Sequence, residues 1–236
     1  MLNIKSWQES QSPLTMLFNQ KIVVVIPAFN ESKTIEKMIK GVKPYANEII
    51  VVDDGSYDDT SLKAEKTGAA IVIHHKENQG YDASLEDGFR EAFKREASII
   101  VTFDADEQHQ PEDIKRLTEL IITGEADIVI GQRQHALHFG EKIFAIYTNF
   151  RFGIKDPLCG LKAYTRKVYE SIGHFDTLGS IGTQLIIEAL HRGFKIEFVP
   201  IDTGPRVDKS RFYFNRLKAN YKILKAMMKV ILFLQK

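Results

Sequence analysis

The chain is poor in features that mark several large protein classes. It has one cysteine, Cys159, so no internal disulfide can form and a disulfide-stapled secreted scaffold is excluded. A reducing cytosol is the simplest compartment for such a chain. Seven prolines and fifteen glycines in 236 residues exclude collagen-like and low-complexity chains. No run approaches the ~18–20 apolar residues that a membrane-spanning helix needs. The best candidate, residues 226–234, is broken by Lys229. The first twenty residues carry Ser, Gln, Pro and Asn where a secretory signal needs an apolar core, so no export signal is expected. Missing motifs narrow the chemistry. There is no G-x-G-x-x-G after the first strand, no His/Cys cluster with zinc spacing and no G-x-S-x-G elbow. These absences argue against a dinucleotide dehydrogenase, a zinc site and a serine hydrolase.

What is present suits a soluble globular protein of one large domain or two small ones. Hydrophobic residues make up 44% and charged residues 27%, enough for one continuous core. The net charge of +1 conceals an asymmetry. Residues 206–236 hold nine Lys or Arg and one acid, Asp208, a net +8. The other 205 residues hold 23 bases and 30 acids, a net −7. A basic tail on an acidic body predicts an anionic partner for the tail, either phosphate groups or a membrane surface. No nucleic-acid partner is expected, and the oligomeric state stays open.

Hydrophobic patterning predicts alternating strands and helices. Residues 21–26, 48–52, 69–75, 98–103 and 127–130 read as short buried strands rich in β-branched residues. Between them, 31–42, 58–67, 81–95 and 111–123 read as helices, the first with Ile35, Met38, Ile39 and Val42 on one face. The pattern loosens after residue 131. A helix over 181–192, a strand over 195–199 and a last helix from about 215 complete the reading. Such alternation predicts an α/β fold with a mostly parallel sheet covered by helices on both faces. Residues 1–20 read as a polar arm, 21–211 as the domain and 212–236 as a basic amphipathic helix.

Ligands of such sheets bind beyond the carboxyl ends of the strands. Three polar motifs lie there. Residues 27–31 (PAFNE) follow the first strand, 53–56 (DDGS) the second, and 104–108 (DADEQ) the fourth. Asp104 and Asp106 can converge on Mg²⁺ or Mn²⁺, which prefer oxygen ligands and keep substrate phosphates in their shell. The same residues also fit a solvated loop that caps the helix before Pro111. Asp53 can accept a hydrogen bond from a base N–H, or merely form a turn.

Together these residues resemble the family 2 glycosyltransferases of the GT-A fold. The resemblance rests on PAFNE at 27–31, VVDDGS at 51–56, NQGYDAS at 78–84 and DADEQHQPED at 104–113. Within that superfamily the chain is similar to polyprenol-phosphate (dolichol-phosphate) mannosyl- and glucosyltransferases, through Gly131-Gln132-Arg133, DPLCGLKAY at 156–164 and RGFKIEFVP at 192–200. The resemblance implies transfer of a hexose from a GDP- or UDP-sugar to a polyprenyl phosphate. It implies donor contacts from Pro27, Phe29, Glu31, Val51, Asp53 and Ala105, although the family often has Tyr in place of Phe29. Asp104 and Asp106, with Gln108, would hold the metal-diphosphate, and Asp106 would be central to catalysis. Arg133 would sit near the sugar and phosphates. Arg206 and Arg211 would form a basic flap, Arg206 reaching donor and acceptor, and Arg151 would meet the acceptor phosphate. Many relatives carry an acid pair where this chain has Gly182-Thr183-Gln184. That difference favours a phosphate acceptor, which needs no general base. A hydroxyl acceptor such as a polysaccharide, or a non-catalytic nucleotide-sugar-binding protein, are the alternatives.

The tail adds a membrane reading. Lys218, Lys222, Lys225 and Lys229 fall in one helical stripe beside a wide apolar face, which suits a helix lying in a membrane interface. That reading places the protein at the cytoplasmic face of a membrane. Packing of this helix on the body is the competing expectation.

Overall fold

The structure is a computed structural model that describes residues 20–134, 138–204 and 216–235. Seven strands form one mixed sheet in the order β3-β2-β1-β4-β6-β5-β7. They are β1 (Ile22–Ala28), β2 (Glu48–Asp53), β3 (Ile71–His74), β4 (Ile99–Thr102), β5 (Ile128–Arg133), β6 (Lys162–Thr165) and β7 (Ile196–Ile201). Among the described residues the helices are α1 (Ile35–Val42), α2 (Thr60–Lys66), α3 (Tyr81–Lys94), α4 (Asp113–Ile122), α5 (Phe139–Phe152), α6 (Arg166–Ile172), α7 (Gln184–His191) and α8 (Arg216–Phe233). The alternation expected from the sequence holds through β5, with element ends displaced by a few residues, as fraying termini allow.

Burial explains why these segments are strands. Val23–Ile26, Ile49–Val52 and Ile99–Val101 are fully or almost fully buried, because a sheet covered on both faces shields both sides of each strand. Helix α1 buries the predicted stripe of Ile35, Met38, Ile39 and Val42. Helix α3 lies close over the sheet because Gly88 carries no side chain. A Cβ there would stand 2.2 Å from Val25 Cγ1, so only glycine permits this approach.

Three elements, β6, α5 and α6, have no counterpart in the sequence reading. The sequence reading assigns no strand to β6, whose four residues, Lys-Ala-Tyr-Thr, begin with a charged side chain. The strand runs antiparallel between β4 and β5, pairing Thr102 with Lys162 and Ile130 with Lys162. Helix α5 was also unanticipated. Its apolar residues are spread around the helix, with Phe144 buried and Phe139, Ile146 and Phe150 exposed, so no helical period stands out.

The last helix packs on the body. Ile223, Ala226 and Val230 form a small second core with Phe144 and Ile187. Its lysines do not act as one stripe. Lys218, Lys222 and Lys225 are exposed, whereas Lys229 turns inward and its Nζ donates to the Leu178 carbonyl.

Candidate active site

Parallel strands β1, β2 and β4 end side by side, and their following loops form one cleft. At β1, the register sets Pro27 against Val52 and Ala28 against Asp53. Asn30 takes a left-handed turn at φ 56°, its N–H donating to Ser56 Oγ and its Oδ1 accepting from Tyr57 N. This exchange ties the two loops together. Phe29 meets the Tyr57 ring edge-on, with centroids 6.0 Å apart. Tyr57 is otherwise exposed, so the pair offers an aromatic wall. Glu31 is buried and starts the turn into α1, with its Oε2 accepting from Thr34 Oγ1. Val51 is fully buried within β2; its side chain supports the strand below Asp53.

Asp53 and Asp54 divide their work. Asp53 Oδ1 accepts from Ser56 N and shapes the turn. Asp54 accepts from His75 Nδ1, Gln79 N and Gly80 N at 2.8 Å each, which fixes the loop leading into α3. His75 bridges Asp54 and Asp87, and Asp58 Oδ1 accepts from Thr60 N at 3.0 Å where α2 begins.

The loop after β4 carries the two carboxylates. Asp106 is buried, its Oδ1 accepting from Gln108 N. Glu107 between them sits at φ 63°, a strained value for a non-glycine residue, and its carboxylate pairs with Lys37. Ala105 is buried behind the loop. Gln108 is half-buried, and its carbonyl accepts from Gly204 N. The Asp104 carboxylate rests on the bare backbone of Gly160, where a Cβ would stand 1.8 Å from Oδ2. Tyr81 OH lies 3.5 Å from Oδ1, and His109 Nε2 lies 3.5 Å from Oδ2. Burial first, and Asp104 next, push the Tyr81 phenol well above its usual range, so it stays protonated.

At the end of β5, Arg133 grips Asp156 through Nε and Nη2, both at 2.8 Å, and reaches Glu141 Oε1 at 3.2 Å. Burial opposes the charge, yet Asp156 and then Glu141 raise the guanidinium pKa. Glu141 also accepts from His138 N, so the same network anchors the start of α5. Arg151 lies elsewhere, exposed in the last turn of α5 and over the Phe152 ring. Arg206 and Arg211 fall outside the described residues.

Chain comparison identifies the architecture. The family model for glycosyl transferase family 2 matches residues 23–173. The chain belongs to glycosyl transferase family 2. Polyprenol monophosphomannose synthase of Mycolicibacterium smegmatis is 31% identical, over 81% of this chain and 80% of the relative. Dolichol-phosphate mannosyltransferase of Pyrococcus furiosus is 30% identical, over 87% of this chain and 64% of the relative. The solved structure of glucosyl-3-phosphoglycerate synthase from Mycobacterium tuberculosis with Mn²⁺, UDP-glucose and phosphoglyceric acid superposes with a TM-score of 0.69. It is 21% identical and covers 94% of this chain and 86% of that one, a likeness of fold. The mostly parallel sheet is thus the GT-A sheet.

In this glycosyltransferase, Asp104 and Asp106 offer an all-oxygen donor set. Among the described residues no group of three or more His, Cys, Asp or Glu closes into a metal cage. Two carboxylates on one loop supply the oxygen ligands that a hard divalent ion prefers. Residues not singled out beforehand shape the cleft: Tyr81, Glu141, Asp156 and Lys162. Tyr81, Asp156 and Lys162 lie inside quoted motifs, so the signal was present without a role attached. Cys159 is buried and its thiol is pushed up to about 12 by burial, which removes it as a nucleophile.

The loop before α7 shows what replaced the acid pair. Gln184 Oε1 accepts from Thr177 N at 2.7 Å and Leu178 N at 3.0 Å, and its Nε2 donates to Glu188 at 2.7 Å. Its amide is committed to the loop. Asp82 accepts from Ile181 N, while its Oδ1 is buried without a partner. Burial, then the nearby Asp176, raise the Asp82 carboxyl to about 7.

Two outcomes follow. Arg133→Ala leaves Asp156 and Glu141 as uncompensated buried charges, so urea unfolding should show a loss of ~3–5 kcal/mol. An unfolded Asp82 deprotonates near pH ~4, whereas the folded one holds its proton to about 7. The native state binds the extra proton in that window, so this group's contribution to stability falls as pH rises through it. Asp82→Asn should therefore stabilise the protein more at pH 8 than at pH 5, again read by urea unfolding.

Proposed function

We propose that this glycosyltransferase moves one hexose, mannose or glucose, from a GDP- or UDP-sugar to a polyprenyl phosphate, with inversion. Gln184 carries the reading. The side chain at the position of a possible general base is an amide consumed by its own loop, and the neighbouring Gly182 has none. The nearby Asp82 oxygen without a partner is sealed from solvent. A sugar hydroxyl acceptor loses ~10²–10⁴-fold without a base. A phosphate monoester, with its second pKa near ~6, already attacks as a dianion. The two relatives named for polyprenol and dolichol phosphate support the same acceptor.

The chain's residues then have distinct tasks. The walls at Phe29, Asp53 and Tyr57 receive the nucleoside, with Pro27, Glu31 and Val51 supporting them. Asp104 and Asp106, aided by Gln108, hold Mg²⁺ or Mn²⁺, which supplies positive charge to the departing diphosphate. Asp106 stays fixed by the backbone at Gln108, so the carboxylate is pre-oriented. Arg133 orients the loops that border the sugar, while Arg206 and Arg211 are assigned to a flap over donor and acceptor. Arg151, on the exposed end of α5, is assigned to acceptor approach. The acceptor phosphate oxygen bonds to the anomeric carbon as the bond to the diphosphate oxygen breaks. The electron pair leaves on the nucleoside diphosphate, and no proton moves.

A lipid acceptor requires access to a membrane, and the helices α5 and α8 support this. They pack together and leave Phe139, Ile146, Phe150, Leu217, Tyr221, Met228 and Leu232 exposed. Lys218, Lys222 and Lys225 are exposed on α8. Apolar side chains flanked by cations suit an anionic lipid interface. Among the described residues no helix is long and apolar enough to cross a membrane.

A panel of GDP- and UDP-hexoses with a short-chain polyprenyl phosphate tests the reaction by nucleotide release. One donor should give turnover, and Asp104→Ala or Asp106→Ala should abolish it with the fold retained. Turnover only with hydroxyl acceptors would remove the phosphate reading. For the membrane surface, co-sedimentation with vesicles containing phosphatidylserine should weaken roughly 100-fold when Lys218, Lys222 and Lys225 become Gln, at ~1 kcal/mol each. Unchanged binding would assign those lysines to solvent.

A further inference from the structure

Lys162 is the one buried lysine among the described residues, 3% exposed. Its Nζ makes no ion pair and no hydrogen bond there. An unpaired ammonium in the interior is costly, and burial lowers its pKa. The Asp156 and Asp104 carboxylates favour its charge and Arg133 opposes it. Neither carboxylate reaches contact. The fold thus keeps a cation beside Asp104 without a counterion in touch.

The loop opposite that cation presents backbone and no side chain. A Cβ on Gly182 would stand 3.8 Å from Lys162 Nζ, in van der Waals contact, and 3.0 Å from the Phe175 ring. Gly182 sits at φ 68°, and Ile181 beside it at φ 57°, a strained value for a β-branched residue. Asp176 fixes this loop by accepting from Leu178, Gly179, Ser180 and Gly182 N–H groups at 2.8–3.1 Å. Strain and four backbone hydrogen bonds hold a bare backbone opposite the ammonium.

Topology says which substrate it faces. The nucleoside loops follow β1 and β2, and the diphosphate carboxylates follow β4. Strand β6, which carries Lys162, lies on the far side of β4 from both. An inverting displacement brings the acceptor from the side opposite the leaving group. We propose that Lys162 binds the anionic group of the acceptor, a phosphate monoester, beside the side-chain-free backbone of Gly182. This rests on the phosphate-acceptor reading above and adds its principal protein cation.

Equilibrium titration of a short-chain prenyl phosphate into protein saturated with nucleoside diphosphate and Mn²⁺ tests it, with glycerol 3-phosphate and the prenyl alcohol as comparison ligands. A charge-assisted contact predicts a roughly 10–100-fold loss of prenyl phosphate affinity in Lys162→Met. Nucleoside diphosphate affinity should stay within about threefold of wild type, which also reports folding. Gly182→Asp should lose as much, because its carboxylate pairs with Lys162. Gly182→Asn, of equal size and tolerant of positive φ, should lose far less. Glycerol 3-phosphate should bind through the same lysine but more weakly, separating the lipid from the phosphate alone. Wild-type prenyl phosphate affinity in Lys162→Met would overturn the proposal. So would equal losses in the Asp and Asn variants, a loss confined to nucleotide binding, or a wild type that binds prenyl alcohol as well as prenyl phosphate. If the wild type binds prenyl phosphate through Lys162 yet releases no nucleotide from any donor, only the transfer reading fails.

Discussion

The contact between the Asp104 carboxylate and the bare backbone of Gly160 is the constraint on which the site depends. It exists because β6 runs antiparallel beside β4, with Thr102 Oγ1 donating to the Gly160 carbonyl at 2.7 Å. Any side chain at 160 would displace the carboxylate. Lys162 opens β6 two residues after Gly160, so one pairing sets both the anionic and the cationic sides of the cleft. A purely parallel sheet would need a crossover helix between these elements and could not bring them so close.

Charge inside this protein is managed by three different means. Arg133 is neutralised by a bidentate carboxylate and a second acid, an arrangement that orders two loops at the cost of desolvation. Asp54 and Asp176 are neutralised by backbone N–H groups, which turns each into a loop organiser. Asp82 and Lys162 are left incompletely satisfied, and both border the same glycine loop. Buried polar groups are usually paired, so the exceptions mark where the fold keeps charge in reserve.

The last helix shows how a packing surface and an exposed surface share one amphipathic segment. Ala219, Ile223, Ala226 and Val230 face the body, with small residues allowing close approach to α5. Leu217, Tyr221, Met228 and Leu232 point away from it. Body packing and an exposed apolar face, which competed on the helical wheel, therefore coexist. Lys229 links the two by reaching the loop that holds Gly182, so the helix and the cleft share a loop.

Much of this was legible in the primary structure. Short β-branched runs specified β1 to β5, and polar motifs at strand ends located the cleft, because hydrophobic period and turn chemistry are local properties. The family motifs named Asp53, Asp104 and Asp106. Motif reading missed the duties of Asp54, Asp156 and Tyr81, since a carboxylate that organises a loop looks the same in sequence as one that binds a ligand. Strand β6 was hidden because four residues opening with lysine carry no strand signature. By itself the chain determined its fold class, its family and the strand ends where chemistry occurs. Only the tertiary structure decided that Arg133 is locked in an ion network, that Gln184 serves its own loop and that Lys162 is buried beside Asp104. Those outcomes depend on which groups are brought together and sealed from water, and partners up to about a hundred residues apart leave no local pattern.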